Sequence, residues 1–160
     1  MTAEKQKILV LGLGNPILSD DGVGIFAVRQ AASLFQNQRV TFEECSLAGF
    51  GFLDRITGYD KLIIADAVQW QRSPPGTIIT LGLDDLEDEP HLRNFHTLSL
   101  AGTLRLADEM SVQRPQEIVI FAVEAADCST FSEQCTPEVQ PAVLKIAEMI
   151  VDQIKKWLGS

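Results

Sequence analysis

The first patterned stretch, Lys7–Gly12 (KILVLG), is a short continuous apolar run of the kind a strand buried on both faces requires. Gly22–Phe35 follows with Val23, Phe26, Ala27, Gln30, Ala31 and Leu34 at three- and four-residue spacing, which predicts a helix. Val40–Cys45 reads as a second strand. Phe50–Gly58 reads as a short helix closed by a glycine suited to a left-handed C-terminal residue. Lys61–Ala67 (KLIIADA) repeats the continuous apolar character of the first strand.

Ser73-Pro-Pro-Gly76 is a turn by composition, and the β-branched run Thr77–Leu83 is a strand. Asp84–Phe95 is polar and acidic and predicts a surface loop. Leu98–Met110 is helical and Glu117–Val123 is the last strand. The final helix has Thr136 as N-cap and Pro137 as first residue, with Val139, Val143, Ile146, Ile150, Ile154 and Trp157 along one stripe. Pro141 falls in its opening turn, which allows a kink or a later start. Strands alternating with helices predict an α/β three-layer sandwich, with a mostly parallel sheet of about five strands. Neither a repeat nor a linker divides the chain, so residues 1–160 are expected to form a single domain.

Composition narrows the partners. A chain of 160 residues can bury about 70% of its unfolded surface and so build a full core. The formal net charge is −9 and the basic residues are scattered, which argues against a nucleic-acid partner. The polar start MTAEKQK lacks the form of a signal peptide, and Ile8–Leu13 is too short to span a bilayer. Cys45, Cys128 and Cys135 form an odd set without a CxxC pair, which favours reduced thiols and a cytoplasmic, membrane-free protein. A monomer is expected.

The motif LGLGNPILSDDGVG, Leu11 to Gly24, carries the chemistry. It opens like a dinucleotide-binding turn, with Gly12 and Gly14. Ile17 then holds the place of the third glycine, Pro16 removes an N–H, and Asp20 and Asp21 would face the phosphates. A dinucleotide site fails on these grounds, and a Walker pattern is absent. As plain structure, Asp20 is the cap of the following helix, and Asp21 an acid favoured by the helix dipole. Asp66 makes Asp21 harder to dismiss. It ends the third strand inside LIIADAV, where an unmatched charge is expensive. Both acids emerge at the carboxyl edge of the sheet, where ligands of such folds collect. Two carboxylates about 6 Å apart repel by about 3 kcal/mol at an effective dielectric near 20. Such a pair shares a proton or binds a cation. His96, in NFHTLSL at the entry to a helix, is a candidate third partner, and the set would accept Zn, Ni or Cd with positions left open. His91, in the acidic loop, has only a surface reading.

These residues resemble the endopeptidases that mature NiFe hydrogenases. The matching segments are ILVLGLGNPILSDDGVG, LDRITGYDKLIIADAV, PPGTI, FHTLSL and TPEVQPAV, in the family's order and across nearly the whole chain. The resemblance implies removal of a C-terminal extension from the hydrogenase large-subunit precursor after nickel insertion. It implies that Asp21, Asp66 and His96 are the metal-binding and catalytic set, engaging nickel presented by the substrate, with no tightly bound cofactor of the enzyme's own. It also places Asn15 and Glu44 beside the substrate. The chain departs from the family at Glu44-Cys45-Ser46-Leu47, where many members carry Asp-Gly-Gly-Thr, which bears on the choice of precursor. Cys45 reads as a buried or bordering thiol. No HExxH or GxSxG supports another protease route. Two alternatives are a nickel-dependent chaperone that docks without cutting and a peptidyl-tRNA hydrolase, which shares a strand followed by GLGNP. The second wants a histidine where Asp20-Asp21 stand, and a basic face.

Overall fold

The computed structural model describes residues 5–46, 52–85 and 96–159, and only the backbone of residues 96–99. Five strands form one sheet: β1 (Ile8–Leu13), β2 (Val40–Cys45), β3 (Lys61–Val68), β4 (Ile78–Gly82) and β5 (Glu117–Glu124). Their order is β2-β1-β3-β5-β4, with β4 antiparallel to β5 and the other pairs parallel. The register sets Ile8 against both Val40 and Lys61, and Asp66 against Ala122. The mostly parallel sandwich expected from the sequence is therefore the fold.

The two-residue alternation of a strand covered on both faces explains why β1 is apolar throughout and β3 is apolar apart from Lys61 and Asp66. Ile8, Val10 and Ile63 face one core with α1 (Val23–Leu34) and α4 (Gln140–Leu158). Leu9, Leu11, Leu62 and Ile64 face a second core with α2 (Phe52–Ile56) and α3 (His96–Glu109). Every residue of both strands is buried, so neither core can spare an apolar position. Among the described residues no helix is long and apolar enough to cross a membrane.

Several boundaries differ from expectation, α3 among them, which starts at His96 in place of Leu98. Within the span expected for the second helix, α2 covers Phe52–Ile56; residues 50 and 51 lie outside the described part, and Gly58 beyond it has φ +88°. The last helix starts at Gln140, with Pro141 in its first turn, in place of Thr136 and Pro137. Proline is compatible with an opening turn, where its missing N–H would find no partner anyway. Thr136 is occupied elsewhere, as described below.

Candidate active site

A short 3-10 turn, Ser19–Gly22, joins β1 to α1 and sets the acids at the carboxyl edge of the sheet. Gly14 permits the turn. Its φ is +129°, and a side chain there would collide with the Asp21 carbonyl. The Asn15 N–H donates to Asp21 Oδ2 at 2.9 Å, which aims that carboxylate back over the end of β1. Gly24 does a second job. A Cβ on it would overlap the Ala65 carbonyl and lie 2.9 Å from the Asp66 nitrogen, so only glycine lets the first turn of α1 rest on the end of β3. The Asp21 turn and Asp66 are therefore neighbours because two backbones touch.

Asp66 is 1% exposed, and its Oδ1 accepts the Ala67 N–H at 2.8 Å. By strand alternation it falls on the face of Leu62 and Ile64, the side of α2 and α3. Helix α3 is anchored at the opposite edge of the sheet: Gln113, just past its end, donates to Asp60 at 3.2 Å, and Gln116 N–H donates to the Asp60 carbonyl at 2.9 Å. Fourteen helical residues cover about 21 Å, so the His96 backbone, at the far end of α3, lies toward the edge that carries Asp66. The His96 imidazole lies outside the described residues, as does His91.

Cys128 reports the shared field of the acids. Burial, with the charges of Asp21, Asp20, Asp127 and Asp66, pushes its thiol up to about 12. Cys135, also packed against the α1/α4 core, is pushed up to about 11 by burial and by Asp20. Neither thiol is an activated nucleophile, since activation requires a depressed pKa. Cys45 is a buried thiol, as expected.

Asp20 does not cap α1, whose N-terminus has no side-chain cap. It is fully buried, and its carboxylate accepts hydrogen bonds from Ala126 N–H (2.9 Å), Asp127 N–H (3.0 Å), Thr136 N–H (2.7 Å) and the Thr136 hydroxyl (2.9 Å). This acid fastens the 126–136 loop to the motif, which is why Thr136 does not cap α4. Glu124 performs the same task on the other side. It is 1% exposed and accepts Trp70 N–H at 2.9 Å and Arg72 N–H at 3.0 Å, shaping the loop after β3. The signal that picked out Asp66, an acid closing an apolar strand, also marks Glu124. No local signal reveals the partners of Asp20.

Of the residues expected beside the substrate, Asn15 uses its Oδ1 within its own turn, accepting Ile17 N–H at 3.1 Å. Glu44, next to last in β2, pairs with Arg29 through two hydrogen bonds, at 2.8 and 3.0 Å. Both border the carboxylate edge, Glu44 on its outer flank. Among the described residues no three His, Cys, Asp or Glu side chains gather into a cage for a metal ion. Asp21 and Asp66 supply hard oxygen donors, and a divalent ion there would draw its remaining donors from elsewhere.

The model of the hydrogenase maturation protease family matches residues 29–153. The hydrogenase 2 maturation protease of Escherichia coli is 32% identical over 123 residues, covering 73% of this chain and 72% of that protein. The hydrogenase maturating endopeptidase HybD of Escherichia coli has the same fold, with a TM-score of 0.80 at 24% identity over 94% of this chain and 93% of that one. The maturation protease HycI of Thermococcus kodakarensis has it too, with a TM-score of 0.73 at 18% identity over 96% and 95%. On the strength of the family model and the Escherichia coli relative, the chain belongs to the hydrogenase maturation protease family.

Proposed function

We propose that this peptidase removes the C-terminal extension of a NiFe hydrogenase large-subunit precursor after nickel has been inserted, with Asp21, Asp66 and His96 engaging the nickel that the precursor carries. The observation that supports it best is the pairing of acids. Asp66 is 1% exposed at a strand end, Gly24 brings the Asp21 turn against it, and both charges reach Cys128. Two like charges near one point, one of them buried and the other half-buried, are unfavourable unless a cation or a proton joins them. A precursor presenting Ni2+ supplies that cation and arrives with its scissile bond beside it.

The chemistry follows from the donors. Asp21 is oriented by the Asn15 N–H, and Asp66 is fixed by the rigid end of β3. Together they hold the precursor's metal-bearing end in register. A carboxylate of the pair accepts a proton from the attacking water as its oxygen bonds to the scissile carbonyl carbon. The C–N bond then breaks, and the proton passes to the departing amine. Since the enzyme contributes three of the donors, its own affinity for free divalent ions is expected to be weak.

Incubation with nickel-loaded precursor is expected to yield a shortened large subunit, and nickel-free precursor to stay intact. Asp21→Asn, Asp66→Asn and His96→Ala should each lower processing by at least about a hundredfold with unchanged far-UV dichroism. A stable complex without shortening would instead identify a binding protein. Normal cutting by all three variants would remove the site assignment.

A further inference from the structure

Phe131 is 80% exposed and Ile17 is 46% exposed, and they sit on one fastened piece of backbone. Ser132 N–H donates to the Ile17 carbonyl at 3.0 Å, Ser19 N–H donates to the Ser132 carbonyl at 3.0 Å, and the Ser19 hydroxyl reaches Thr130 O at 2.7 Å. The buried Asp20 ties the same loop from beneath. An aromatic ring is thus held out into water by backbone that cannot fold it away.

The apolar surface continues over the motif. A Cβ on Gly22 would lie 2.8 Å from the Phe26 ring and 2.9 Å from Pro16, so that half-buried ring covers Gly22 beside Pro16. Arg29 lies 5.7 Å over the ring and pairs with Glu44 at 2.8 Å. The strip borders the Asp21 turn along its length. Its surroundings are acidic: Asp127 and Glu133 flank Phe131 along the loop, and from Ala125 to Leu144 the chain has no Lys or Arg. Glu133, two residues from Phe131, acts on Arg29 electrostatically.

Resting on the function proposed above, we infer that the strip Phe131–Ile17–Phe26 is the docking surface for the folded body of the precursor. It takes an apolar side chain flanked by Lys or Arg, beside the acid edge that handles the tail. Three features support this occupant: the strip adjoins the acid edge, its apolar area is preorganised, and its rim is negative. Preorganised aromatic anchors are where binding free energy concentrates, because little side-chain freedom is lost on contact. An acidic rim selects a basic partner and quickens encounter.

The test is a calorimetric titration of nickel-loaded precursor with the wild-type chain, Phe131→Ala, the double variant Ile17→Ser/Phe131→Ala, and Met110→Ser. Met110 is the control, being 58% exposed at the end of α3 on the opposite edge of the sheet. Urea midpoints verify that each variant is folded. Phe131→Ala should raise Kd by about fivefold or more, the double variant further, and Met110→Ser should leave it unchanged. Added salt should weaken wild-type binding. Double-variant binding within about twofold of wild type would overturn the inference. So would sedimentation showing a wild-type dimer that Phe131→Ala dissociates, since the strip would then serve a second copy. Cleavage is read in the same samples. Docking that depends on Phe131 without any wild-type cleavage would remove the protease reading and leave the docking surface standing. Cleavage with Phe131-independent docking would do the reverse.

Discussion

Asp20 and Asp21 are adjacent in sequence, yet their environments give them different work. Asp20 is fully buried and saturated by N–H and O–H donors, whereas Asp21 is half-buried and accepts the Asn15 N–H on the turn that rests against β3. Asp20→Ala would strip three backbone N–H groups of their acceptor. At about 1–3 kcal/mol for an unsatisfied buried group, with partial rescue by water, a loss of about 3 kcal/mol is expected as a lowered urea midpoint. Asp127 offers a pH test. Hydrogen bonds from Thr130 and Ser129 hold its carboxyl down to about 2. A depressed carboxylate stabilises the fold above its unfolded pKa, near 4, and the contribution fades as pH falls toward 2. Amide resonances of Ser129 and Thr130 should therefore stay fixed from pH 7 to about 4 and shift only between about 4 and 2. A shift centred near pH 4 would contradict the hydrogen-bonded turn. Asp66 was legible in the sequence because an acid inside an apolar strand demands a reason. Glu124 carries the same mark at the end of β5, and its role in holding the Trp70–Ser73 loop follows from the same reasoning. The imidazole of His96 lies outside the described residues, and α3 begins at its backbone.

Elements were legible where burial is complete. β1 and the Leu62–Ala65 stretch of β3 are continuously apolar, as suits a short strand covered on both sides. Boundaries were less legible where a side chain serves a distant partner. Thr136 has the form of an N-cap, but its N–H and hydroxyl bind Asp20, which lies 116 positions earlier, and α4 starts four residues later. Contact between elements also yields a test. Gly24→Ala would drive a methyl into the Ala65 carbonyl and lift α1 from β3. The overpacking is expected to cost about 1–3 kcal/mol in the urea midpoint. It should also part the Asp21 turn from Asp66, so processing should fall by at least about tenfold at a temperature where the fold persists. Full processing by a destabilised Gly24→Ala chain would show that the contact is structural only.

At the scale of the molecule, one sheet edge collects the turn before α1, the end of β3, the loop after β3 and the loop after β5. The order β2-β1-β3-β5-β4 makes this possible, because β1, β3 and β5 are consecutive, parallel and central. Strand count and the mostly parallel character were readable from alternating elements. The placement of β5 between β3 and β4 was not, since pairing across such separations depends on contacts that no local pattern encodes.

The fastening of the early acid turn by late residues has a consequence for synthesis. Asp20 waits for donors at Ala126, Asp127 and Thr136, which arrive 106, 107 and 116 positions later. While a ribosome is still extending the chain the acid turn has no clasp, and a polypeptide halted before β5 leaves it loose. The turn that opens the chain is therefore set only once the loop after β5 has emerged.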